Sequence, residues 1–120
     1  MLLVRISRDP NKVPDPMIDV IAGALQGIVA GALSSSDLGG YLSPNDVEVE
    51  VRDFGPHDHH SNVLEIVVEA NQLPERFQSL DHGRERIVRA LNAMLVARWG
   101  IKFWVWVRLS PGSFGEGQGL

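Results

Sequence analysis

An α+β fold with element order β-α-β-β-α-β is predicted. Two pseudo-symmetric βαβ units would form one four-stranded sheet carrying two helices on one face. Three observations predict it. Residues 2–14 (LLVRISRDPNKVP) and 62–74 (NVLEIVVEANQLP) match after a slide of sixty residues, which sets Val4 on Leu64, Ile6 on Ile66, Asn11 on Asn71, Val13 on Leu73 and Pro14 on Pro74. Residues 47–56 (VEVEVRDFGP) and 103–112 (FWVWVRLSPG) also match, with Val49 on Val105, Val51 on Val107 and Arg52 on Arg108. A stretch of helical periodicity separates the strand-like runs in each half. The halves span about 2–54 and 62–112, followed by a tail at 113–120.

A chain of 120 residues, 44% of them apolar, suits a single domain with a core. A net charge of −4 speaks against a nucleic-acid partner. With no cysteine there is neither a disulfide framework nor a thiolate metal site, which fits a reducing cytoplasm. Arg5, Arg8 and Asp9 interrupt the N-terminal apolar residues, so a signal peptide is not expected. The most apolar run, 20–33, is short for a bilayer span, and no membrane partner is expected.

In residues 2–7, Val4 and Ile6 alternate with Leu3, Arg5 and Ser7, the pattern of a half-buried strand. Residues 9–14 are turn material. Asp15 before Pro16 reads as an N-cap followed by proline at the first helical position. The helix is expected to run to about Leu33, with Ile18, Ile21, Leu25, Ile28 and Ala32 as its core stripe. Gly23, Gly27 and Gly31 recur on another side. They fit either a packed neighbour above small residues or a groove for another helix. Residues 34–46 form a long Ser-, Gly- and Pro-rich loop with Tyr41 and Leu42 in it. The second strand, 47–53, has Val47, Val49 and Val51 on one face and Glu48, Glu50 and Arg52 on the other.

Residues 54–62 connect the halves. His57, Asp58, His59 and His60 are clustered but match no standard zinc spacing, so a solvated connector and no metal site are expected. The third strand, 63–70, points Leu64, Ile66 and Val68 inward and sets Glu65 where it could meet Arg5. In residues 74–83, Phe77 and Leu80 share helical spacing with Ile87 and Leu91, whereas Asp81 and Gly83 suggest a turn first. The second helix is therefore placed from about His82 to Arg98, with Gly100 as its stop and Ile87, Leu91, Met94 and Leu95 as its stripe. The last strand, 102–109, is apolar on both faces. Phe103, Val105 and Val107 should face the helices, leaving Trp104 and Trp106 on the open side for a second subunit or the tail to cover.

Two layouts satisfy this order: a ferredoxin-like sheet, or two parallel βαβ units side by side. The repeated Val-Pro-Asp and Leu-Pro-Glu helix starts at 13–15 and 73–75, with the glycine-rich tail, favour the second. These features resemble the tautomerase superfamily, which includes macrophage migration inhibitory factor and 4-oxalocrotonate tautomerase. The short first strand and VPD at 13–15 look like the start of migration inhibitory factor. PGSFGEG at 111–117 is similar to the ending of bacterial tautomerases, and LDHGRERIVRALNAML at 80–95 to the second helix of other members. The resemblance implies a homotrimer, a site for a small carboxylate and, where there is catalysis, keto–enol isomerisation without a cofactor. It also implies an N-terminal proline as general base, and here Met1 and Leu2 stand instead. Proline-type activity is therefore not expected. The Met1 amine, ordinarily with a pKa of about 8, is the base left at that position.

With the first two strands parallel, the third antiparallel to the first and the fourth parallel to the third, Met1, Tyr41, Glu69, Arg108 and Phe114 gather at one end of the sheet. The candidate catalytic residues are Met1, Tyr41 as donor to an enol oxygen, and Arg108 as carboxylate partner. Lys12, Glu69 and Phe114 are candidate substrate-binding residues. Three functions remain open: a trimeric binding protein of this fold, an isomerase of this fold using another base on a keto acid or enol, and a ferredoxin-like module binding a ligand or metal through the histidine loop.

Overall fold

A computed structural model describes residues 2–34, 41–111 and 117. Strand β1 (Leu2–Arg8) leads through a turn to helix α1 (Asp15–Leu33). A single 3-10 turn (Pro44–Asp46) precedes strand β2 (Val47–Asp53). Strand β3 (Leu64–Asn71) is followed by a short helix α2 (Pro74–Gln78) and by α3 (Leu80–Leu91). The α3 helix continues through a wider π-type turn (Asn92–Val96) and a last turn (Ala97–Trp99) before strand β4 (Phe103–Ser110).

The sheet order is β2-β1-β3-β4, with β1 parallel to β2, β3 parallel to β4, and β1 antiparallel to β3. In a split βαβ arrangement another strand would separate β1 from β2. Here they pair directly, which excludes the ferredoxin-like layout and gives the side-by-side one. The parallel pairs begin with Leu2 opposite Val47 and Leu64 opposite Phe103. Aligned by that geometry, Leu64 corresponds to Leu2, so the sixty-residue slide that sets it on Val4 is two residues out of step.

Leu2, Val4 and Ile6 of β1 and Leu64, Ile66, Val68 and Ala70 of β3 are buried beneath the helices. The α1 face that covers them carries Ile18, Ile21, Leu25, Val29 and Leu33. Val29 holds the place predicted for Ile28, which packs only at the margin. By length and composition alone α1 could cross a membrane; the buried face accounts for much of its apolarity. Its cap is Pro14, with Asp15 already in the first turn.

The second helical region starts earlier than His82, because residues 74–78 are helical and Gly83 lies inside α3. Gly83 marks a close approach, not a turn: a Cβ there would stand 2.9 Å from Leu33 Cδ2 and 3.1 Å from the Ala32 carbonyl oxygen. Ile87, Leu91 and Leu95 are buried as expected. Phe77 is 59% exposed, and its neighbour Arg76 is buried instead. Gly100 closes the helix at φ +65°, where its N–H donates to the Val96 carbonyl and the Ile101 N–H to the Leu95 carbonyl.

A buried arginine clamps each end of the sheet. At the end of β1, Arg8 donates from Nε to Asp53 (2.8 Å), from Nη1 to the Val13 carbonyl (2.9 Å) and from Nη2 to Asp15 (2.6 Å). One guanidinium thus joins β1, β2 and the start of α1. At the other end, Arg76 donates from Nε to the Leu33 carbonyl (2.9 Å) and from Nη1 to the Asn71 carbonyl and side chain, which ties α2 to α1 and β3.

The glycine positions yield opposite expectations. A Cβ at Gly23 would meet nothing within 4 Å. Gly23→Ala should raise stability by about 0.5–1 kcal/mol through helix propensity and reduced unfolded-chain entropy. Gly83→Ala should lower it by about 1–3 kcal/mol, because the Ala32 backbone cannot give way without moving α1. Urea unfolding of both variants checks the pair.

Candidate functional site

The antiparallel pairing of β1 and β3 brings the start of β1, the start of β2 and the ends of β3 and β4 to one edge of the molecule, with Leu2 opposite both Val47 and Ala70, and Ala70 opposite Leu109. Met1 and Phe114, two candidates for this edge, lie outside the described residues. Tyr41 is 81% exposed and belongs to the segment leading into β2. Its neighbour Leu42 is buried, held by its N–H donating to Ser34 Oγ (3.0 Å).

Glu69 and Arg108 occupy facing positions on the helix-free side, and their side chains form an ion pair. Ser110 Oγ donates to the second Glu69 oxygen at 2.9 Å. The Arg108 hydrogen bond, then that of Ser110, holds the Glu69 carboxyl below its ordinary pKa. Arg108 therefore has a resident carboxylate, and a ligand carboxylate would have to displace or share it. Lys12 does not join this group. It lies at the opposite end of the sheet, on a cavity that it lines with Lys102, Trp99 and Ile101.

Arg5 bonds Glu50 (3.3 Å), not Glu65, because it lies opposite Glu50 on β2 and Val67 on β3. Glu65 accepts from Trp104 Nε1 at 2.6 Å and from Ser61 Oγ at 3.2 Å. Trp106, opposite Val67, is 61% exposed. In the connector, Asp58 accepts from the Gly55 N–H (2.7 Å) and the His60 ring stacks on Phe54 with centroids 4.0 Å apart. Among the described residues no group of three His, Asp or Glu is placed to hold a metal ion.

Sequence reasoning missed Arg8 and Arg76. Arg8 had a signal, since it shares the alternation of Val4 and Ile6 and so falls on the buried face. Arg76 had none, because the helical spacing pointed to Phe77.

The lowered Glu69 pKa fixes a pH dependence. Its contribution is complete above the unfolded carboxyl pKa of about 4.3 and is lost as pH falls through the lower folded value. Glu69→Gln should cost at most about 1 kcal/mol at pH 7, since the pair is partly exposed. The difference from the parent should close below about pH 4. Chemical denaturation at stepped pH measures both.

No protein-family model and no curated protein sequence matches the chain. Solved structures do. Malonate semialdehyde decarboxylase matches with a TM-score of 0.66 and 17% identity over 97% of this chain and 92% of that one. A probable enzyme from the thermophilic fungus Aspergillus fumigatus matches with a TM-score of 0.65 and 18% identity over 100% and 82%. A fused 4-OT, described as a symmetric trimer, matches with a TM-score of 0.58 and 17% identity over 98% and 94%. At these identities the likeness is one of fold, and it bears out the resemblance seen in the sequence: the chain has the fold of the tautomerase superfamily.

Proposed function

We propose that this protein is a cytoplasmic homotrimer of tautomerase fold that does not carry out proline-based tautomerisation. The observation that carries the assembly is the open sheet face. Trp106 stands 61% exposed there beside Val67. Covering the exposed part of one such indole is worth about 2–4 kcal/mol per subunit. The surrounding ion pairs are worth about 0–1 kcal/mol each at a surface, so the indole dominates. The symmetric trimer formed by the fused 4-OT supports three copies as the number.

Two observations support the negative half. Neither β1 nor the residue before it contains proline, and the first proline, Pro10, stands beyond the strand's far end. Arg108 is already bound to Glu69. A keto acid or enol carboxylate binding Arg108 would first need Glu69 to release the guanidinium.

Native mass spectrometry should give a three-subunit mass, and Trp106→Lys should shift the population to monomer while leaving the circular dichroism spectrum unchanged. A monomeric parent protein overturns the assembly. Phenylpyruvate ketonisation should proceed no faster than in buffer. Turnover that follows the protein through purification would replace this reading with an isomerase of the same fold using another base.

A further inference from the structure

The cavity at the opposite end of the sheet has a chemistry that the Leu2 edge lacks. It is an open groove of about 520 Å³ where the connector before β3 meets the link from the last helical turn to β4. Val63 and buried Ile101 give it an apolar floor, and Trp99 supplies an aromatic wall. Lys12, Lys102 and His60 stand at its polar rim. Among the described residues no acidic side chain lines this cavity, whereas both of the chain's two lysines do. Neither ammonium has a side-chain partner among the described residues, whereas Arg5, Arg8 and Arg108 are each paired with a carboxylate.

The acidic groups of the flanking segments are already engaged. Asp9 accepts from the Asn11 N–H, Asp58 from the Gly55 N–H, and Glu65 from Trp104 Nε1 and Ser61 Oγ. The Arg98 guanidinium lies 5.3 Å from the centre of the Trp99 ring, adding positive charge beside the aromatic wall. The rim is also held in place. Gly100 fixes the turn into Ile101, His60 is stacked on Phe54, and His60 Nδ1 lies 2.9 Å from the Asn62 carbonyl.

We infer that this cavity binds a small carboxylate carried on a flat apolar body, such as an arylacetate. The carboxylate would lie between Lys12 and Lys102, and the ring against Trp99 and Ile101. An apolar pocket with a few convergent polar groups is the general form of a small-molecule site. The lysines are solvated, so they set charge preference and orientation, and the apolar floor supplies the rest of the affinity. The site lies within one subunit and does not depend on the trimer.

Titration of the ¹⁵N-labelled protein with phenylacetate, followed by amide and indole NMR, tests the inference. Saturable shifts are expected at Trp99 Nε1–H, Gly100, Ile101 and Asn62. The uncharged analogue 2-phenylethanol should bind about fivefold more weakly or worse. Lys12→Gln combined with Lys102→Gln should remove that preference and leave the rest of the spectrum in place, which separates loss of the site from loss of the fold. No saturable shift at these residues up to about 10 mM, an affinity for phenylacetate unchanged by the two substitutions, or shifts confined to Tyr41 and Arg108 would each overturn it.

Discussion

The seam between β1 and β3 is the constraint on which the rest of the molecule depends. Ile6 lies opposite Ile66, Val4 opposite Val68 and Leu2 opposite Ala70, and all six are buried. A slip of one residue in either strand turns that strand over. In β1 it would send Leu3, Arg5 and Ser7 under the helices, and in β3 it would send Glu65, Val67 and Glu69. Desolvating Arg5, or Glu65 and Glu69, without their present partners would cost several kcal/mol per charge. The seam therefore fixes the register of both strands, and through the parallel pairs it fixes β2 and β4.

From that register follow the two faces and the two ends. The helical side is closed by α1 and α3, whose contact is tight enough at Gly83 to leave no room for a methyl group. On the open side Arg5 pairs with Glu50 and Arg108 with Glu69, and Trp106 stands largely exposed. Each end is drawn together by an arginine whose fork bonds main-chain carbonyls as well as side chains, a geometry that a lysine cannot reproduce.

Strand alternation made the sheet legible in the sequence. Val4 and Ile6, Val47 and Val49, and Leu64 to Val68 each declared a buried face, and the strand directions followed from the two-half pattern. Helix limits were harder to read. Gly83 carries the local signature of a turn, yet its absent side chain serves a contact with Ala32 and Leu33 that is remote in sequence. Arg76 and Phe77 reversed their expected burial for a similar reason: the Leu33 carbonyl, on another helix, supplies the partner that makes an arginine tolerable inside. The candidate site was legible only as a place. Topology brought Glu69 and Arg108 together, but a strand pattern does not reveal that the two neutralise each other, nor that Lys12 and Lys102 share a distant cavity.

That difference bears on where chemistry can occur. At the Leu2 edge the Arg108 cation is already engaged by Glu69, and Ser110 holds the same carboxylate. An incoming anion there gains the arginine only by breaking a bond of similar strength, so the net gain is small. At the opposite end no such exchange is required. Lys12 and Lys102 are bonded to no described side chain, and with them Val63, Trp99 and Ile101 line the cavity, which is held by the Gly100 turn and the stacked His60. A fold fixes which residues meet, but the capacity to bind rests with groups whose bonding the fold has left incomplete, as it has for Lys12 and Lys102.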